Sequence, residues 1–267
     1  VQYKRTIEPA ALPVHLDDAK KQLVVEHSDD DIQIANYIRA ATDYVESFTR
    51  RQLTAATHAL QLGAFWSGAL QLPYPPLRAV SSIQYKDSNG DTQTLAATEY
   101  DVDTAGLFGQ VYAAYGKSFP STRLHPDAIT ITYQAGFAAP FTADADTDVI
   151  SLLGWTPVDG EAIHLAKSGG ESAALPAGLA EDTTYYVRDV SGSTCKLAAS
   201  SGGSAIDITD AGTGTHWFGR IPQSLRAAIL LLVTHWYEHR LAVSDGELLR
   251  NIPMGVESLL WSERVEL

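Results

Sequence analysis

The run Ser28–Leu53, SDDDIQIANYIRAATDYVESFTRRQL, keeps one period from end to end. Ile34, Ile38, Ala41, Val45 and Phe48 recur at helical spacing and form a single apolar stripe, with Tyr37 and Tyr44 beside it. Ser28 offers a capping hydroxyl with Asp31 three residues on. Asp29 and Asp30 fill the first turn, where negative charge suits the amino end of the helix dipole. Arg50 and Arg51 stand at the far end, where positive charge suits the exposed carbonyls. The spacing predicts one long amphipathic helix lying on a core.

Upstream, Leu16–Val25 (LDDAKKQLVV) predicts a short helix, with Asp17 and Asp18 in its first turn and His15 as a weak cap. Pro9 and Pro13 hold residues 1–12 extended. Downstream the period changes to alternation. His58–Phe65 and Ala69–Leu72 read as a hairpin turning at Trp66, Ser67 and Gly68. Val80–Tyr85 and Thr92–Leu95 read as strands around Asp87–Gly90, where Asn-Gly accepts positive φ. Tyr100–Asp103, Gln110–Tyr112 and Ala128–Tyr133 complete a small set of strands.

From Phe141 to Gly219 the composition shifts to Gly, Ser, Thr, Ala and Asp, with eleven acidic residues against three basic ones. Most of the chain's net charge of −13 therefore lies here. Strand patterns at Thr183–Arg188 and Thr194–Ala198 make the segment a β module inserted in a loop. The helical period returns at Pro222, a residue suited to a first helical position, and continues to about Leu241 through Leu225, Ile229, Leu232, Trp236 and His239. The segment 247–267 is too apolar for a disordered tail and is expected to dock on the body or on a partner.

At 267 residues, 45% of them hydrophobic, the chain has enough material for a sizeable core and one or two domains. Its longest apolar run, Ala227–Val233, falls far short of the roughly 20 residues a membrane span needs. No secretory signal is read at the amino end, since no apolar stretch follows Lys4, Arg5 and Glu8. Cys195, the only cysteine, excludes an internal disulfide. The negative balance argues against a general nucleic-acid binder, yet suits a surface that lets DNA slide past.

The sharpest enzymatic pattern is His235-Trp236-Tyr237-Glu238-His239, an H-x-x-E-H match with two histidines at i and i+4 and Glu238 as a general base. Zinc hydrolysis would need a third ligand, for which Glu247 and Glu257 are the placeable acids. The Asp87–Asp91 loop lacks calcium-loop spacing, and Asp144, Asp146 and Asp148 read as a solvated charge run. No catalytic residue, cofactor site or metal site is expected. Core or interface histidines are the ordinary reading of His235 and His239.

The blocks LDDAKKQL, DDDIQIANYIRAATDYVESFTRRQL, LPYPPLRAVSSIQYKDSNGDTQTL with EYDVD, AITITYQAGF, IPQSLRAAILLLVTHWYEHR and IPMGVESLL follow in an order that resembles the HK97 gp6-like head–tail connectors of long-tailed phages. The resemblance covers about 1–140 and 218–267, and the 141–219 module interrupts it. Tyr237, Glu238, His239 and Arg240 fall where the family tends to carry a tyrosine, an acid and an arginine, which gives the apparent zinc motif another origin.

The resemblance implies an α+β fold: a helical bundle core with a small antiparallel β-sheet, plus an inserted all-β module. It implies a discontinuous adaptor domain of 1–140 and 220–267, an inserted domain of 141–219, and a carboxyl-terminal arm of 247–267. It further implies a non-enzymatic virion protein at the head–tail interface, made in the host cytoplasm, that forms a dodecameric ring of its own copies. Its partners would be the portal protein and a stopper or tail-terminator, with DNA passing through the lumen unread and no membrane involved. Portal contact is expected from Ile252, Pro253, Met254, Val256, Leu259, Leu260 and Trp261.

Overall fold

The computed structural model of the chain describes residues 2–66, 68–240 and 254–266. The amino-terminal part builds two sheets from β1 Gln2–Ile7, β2 Ala56–Leu62, β3 Leu70–Leu72, β4 Leu77–Lys86, β5 Thr92–Thr94, β6 Tyr100–Asp103, β7 Gly109–Ala113 and β8 Ile129–Ala135. One sheet is antiparallel in the order β1-β2-β8-β4-β5, and the other runs β3-β7-β6. They share a core of Leu60, Leu62, Leu70, Leu72, Ile83, Val111, Ile129 and Ile131. β2 and β3 sit in different sheets, so the hairpin read around Trp66 is corrected: β2 finds longer partners in β1 and β8. The Asp87 turn does form. One Asp87 carboxylate oxygen accepts from the amides of Asn89, Gly90 and Asp91, and Gly90 takes φ +95°.

Strands β9 Ala138–Asp144, β10 Val149–Leu152, β11 Ala162–Ser168, β12 Thr184–Ser191, β13 Thr194–Ala198 and β14 Thr215–Gly219 close into a barrel in the order β10-β13-β12-β11-β14-β9. Period-2 alternation fills it with Phe141, Ile150, Leu165, Val187, Leu197 and Phe218. Its first and last residues are neighbours, Ala138 opposite Gly219.

Helices α1 Leu16–Leu23, α2 Asp31–Thr49, α3 Gln223–Glu238 and α4 Met254–Trp261 bury a third core, including Ile34, Ile38, Val45, Leu225, Ile229 and Leu232. Neighbouring residues of one strand serve two cores: Trp217 points to the helices while Phe218 points into the barrel. His15 caps α1 after all, its Nδ1 accepting from the Asp17 amide at 3.2 Å.

The expectation of a helical bundle core is corrected. Among the described residues the chain is mostly β: four helices line one core, while strands line the other two and close a six-stranded barrel. Two of the four helices have only eight residues, too few to build a bundle around the long one. No described helix is long and apolar enough to cross a membrane.

Candidate assembly surfaces

The carboxyl-terminal segment is fastened along the seam of α2 and α3. Val256 and Leu260 are fully buried in the helical core, and Leu259 packs half-buried against it. Past the helix, the Val265 amide donates to Thr49 O at 2.9 Å and Arg51 Nε donates to Glu263 O at 2.6 Å. Ser224 Oγ reaches Glu263 Oε1 at 3.0 Å. Trp261 stands edge-on to Phe48 at 5.7 Å, and the Arg264 guanidinium lies over both rings. Trp261 remains 56% exposed. Of the residues expected to meet a portal, Val256 and Leu260 point inward, Met254 opens α4 and Trp261 looks outward. Ile252 and Pro253 lie outside the described residues.

The H-x-x-E-H match does not make a ligand set. α3 ends at Glu238, so His239 is already past the last turn, with φ −115°. The two imidazoles pack edge to face at 4.9 Å, and Glu238 is exposed. Among the described residues no group of three or more His, Cys, Asp or Glu could hold a metal ion, so Glu257 does not complete the pair; Glu247 lies outside the described residues. A cleft of about 740 Å³ beside Phe65, Trp66, Tyr112 and Phe119 is lined by no acid, histidine or cysteine. Cys195 is buried, and burial pushes its thiol up to about 12, away from nucleophilic use.

The end of α3 serves a different contact. The Tyr237 hydroxyl and Arg240 Nη2 both donate to Asp30 Oδ2, at 2.6 and 2.9 Å, and Arg240 stacks over the Tyr237 ring. These bonds hold the Asp30 carboxyl below its ordinary value. Asp30, not Ser28, is the residue before α2, and its side chain caps nothing because it is already engaged with α3.

A second clamp was not foreseen. Glu46 is 2% exposed and accepts from Arg5 Nη2 at 2.6 Å, Gln52 Nε2 at 2.7 Å and the Leu53 amide at 3.0 Å, tying β1 to α2. Burial pushes its carboxyl up, while Arg5 and the Leu53 amide pull it back. Its signal in the sequence is an acid directly beside Val45 on the inward face. A third clamp joins sheet to barrel: Arg78 donates to the carbonyls of Gly136 and Phe137, stacks on Trp155 at 4.1 Å and faces Glu161 at 3.7 Å.

Residues 13–99 match the family model of the phage gp6-like head-tail connector protein, so the resemblance read from the sequence holds over that stretch. Among curated proteins none matches the chain. Three solved chains share its fold. One comes from the neck of an empty gene transfer agent (GTA) particle in C6 symmetry, at 16% identity and TM-score 0.58. One comes from the virion of the native particle, at 17% and 0.58, and one from the native neck in C12 symmetry, at 18% and 0.56. Each comparison covers 100% of this chain and 97% of the other.

Proposed function

We propose that this chain is a structural head–tail connector, working as a ring of its own copies in the neck of a tailed phage or phage-like particle. The observation that carries the reading is a double one: the connector family model matches from α1 through the 3-10 turn before β6, and the whole fold, barrel included, is that of chains in particle necks. The ring stands beneath the portal, extends the DNA channel and offers its far side to a stopper or tail component. Heterologous contacts repeated by rotation close such a ring, and an acidic chain lets DNA pass without shedding counterions onto it. The role is architectural, and the zinc-hydrolase alternative has no observation in its favour.

Residues 141–219 act as an inserted domain: the barrel starts and ends side by side, so it interrupts the body at one place. Within 247–267, Val256 and Leu260 hold α4 to the body, and portal contact is made by Trp261, Leu259, Met254, Ile252 and Pro253. The test is particle assembly without this chain. The expected result is DNA-filled heads that lack tails and leak DNA; normal tailed particles would overturn the reading. Trp261→Glu is expected to leave the chain folded and lower its retention on isolated portals, and unchanged retention would refute the portal surface.

A further inference from the structure

We infer that neighbouring copies join edge to edge, the β1 strand of one copy pairing with the β6 strand of the next. This rests on the ring reading above and names its contact. β1 is the outermost strand of the five-stranded sheet and β6 the outermost of the three-stranded one. Among the described residues, no backbone hydrogen bond is made from the outer side of either strand. Open edges of this kind are templates for a further strand.

The two edges lie at opposite sides of the sandwich. Tyr74, just after β3, stacks on Tyr3 of β1 at 4.5 Å, which puts β3 on the β1 side. β6 is the far strand of β3's sheet and follows β5 through a single 3-10 turn, which puts it on the β5 side. Opposed edges suit a head-to-tail contact, the kind that closes by rotation.

Charge selects the same pairing. On β1 the Arg5 guanidinium is already met by Glu46 and Glu8, and exposed Lys4 has no ion pair among the described residues. On β6, Asp101 and Asp103 are exposed on one face with no ion pair among the described residues, and Val102 between them is 37% exposed. Lys4 against this face sets a cation opposite one carboxylate and diagonal to the other. β1 against β1, or β6 against β6, would set like charges together. The edges thus repel the two-fold pairing and admit the heterologous one.

Necks would be purified from particles carrying Lys4→Cys with Asp101→Cys in the full chain, then oxidised; Cys195 is buried and does not compete. The expected result is a covalent ladder ending at the closed ring, with neither single variant cross-linking. Lys4→Glu is expected to raise the chain concentration needed for assembly by about tenfold, and adding Asp101→Lys and Asp103→Lys to restore it. Dimers from Lys4→Cys alone, or wild-type copy number without cross-links in the double variant, would overturn the edge contact and leave the ring standing. Absence of the chain from necks would overturn the connector reading and this contact with it.

Discussion

Lowering the pH should unfasten the amino-terminal strand through one residue, His58. Its side chain is fully buried between the rings of Tyr3 and Tyr133, with Tyr74 stacked alongside. Its Nδ1 contacts the Tyr3 hydroxyl and its Nε2 has no hydrogen-bond partner among the described residues. Burial, then the Arg5 charge, push the imidazole from 6.5 down to about 3. A base depressed in the folded state is neutral there while the unfolded chain still takes up its proton. Stability is therefore full above pH 6.5 and lost progressively as pH falls toward 3. At 1.36 kcal/mol per pH unit the ceiling is ~4–5 kcal/mol, and a compact unfolded state reduces the expected loss to ~3 kcal/mol. The assay is urea unfolding from pH 7 to pH 4 for the wild type and for His58→Phe, which keeps an aromatic ring in the stack. The variant carries a fixed penalty for orphaning the Tyr3 hydroxyl, but its stability should fall less steeply with acid. Parallel pH profiles for the two proteins would refute the reasoning, because every other titrating group is common to both.

Glu46→Ala should destabilise the chain by ~3 kcal/mol in the same unfolding assay, since it strands the Leu53 amide and leaves Arg5 half-buried without its carboxylate. Glu46→Gln keeps an acceptor and should lose less. Arg78→Ala removes two carbonyl contacts and the Trp155 stack, for ~2–3 kcal/mol, and should raise amide exchange at the start of β9 before that of the helices. Gly219→Ala should cost ~2 kcal/mol or more by thermal unfolding, because φ is +97° and a Cβ would stand 2.3 Å from Phe137 O. Asp30→Asn should free Arg240 and shift the Tyr237 hydroxyl toward its ordinary ionisation, read by ultraviolet titration, since Asp30 is what raises it.

The helices were legible because a 3.6-residue period is local: α2 and α3 fall inside the runs read over Ser28–Leu53 and from Pro222 to about Leu241. Strand positions were legible for the same reason, as at β4, β6 and β13. Pairing was not, since it depends on partners far along the chain. β2 reaches over 60 residues on to β8, so proximity to β3 misled. Barrel closure likewise rests on distant pairs, β9 with β14 and β10 with β13, and it shifted the balance of the fold from helix to strand. At the candidate surfaces the apolar tail was visible, but burial divided it: Val256 and Leu260 share a helical face that turns inward, and period alone does not say which face meets which body. Asp30 and Glu46 were missed because helix rules read acids as capping groups or solvated charge, whereas here their partners arrive from α3 and β1.

The Glu46 and Arg78 clamps share a consequence for assembly. In the ring proposed above each copy is turned by a fixed angle from the last, so the two surfaces that meet must keep a fixed angle within each chain. In this chain β1 is an edge strand whose angle is set by Glu46 on α2, while the barrel is held to the sheet by Arg78 and to the helices by Trp217. Apolar packing alone would tolerate sliding between such layers. A buried, hydrogen-bonded charge has few alternative positions, so these clamps constrain direction as well as contact. If ring closure depends on that constraint, Glu46→Gln should disturb ring size at conditions where the chain remains folded. Electron microscopy of assembled necks reads this directly: a single unchanged symmetry in the variant would show that the buried acid stabilises the chain without governing its curvature.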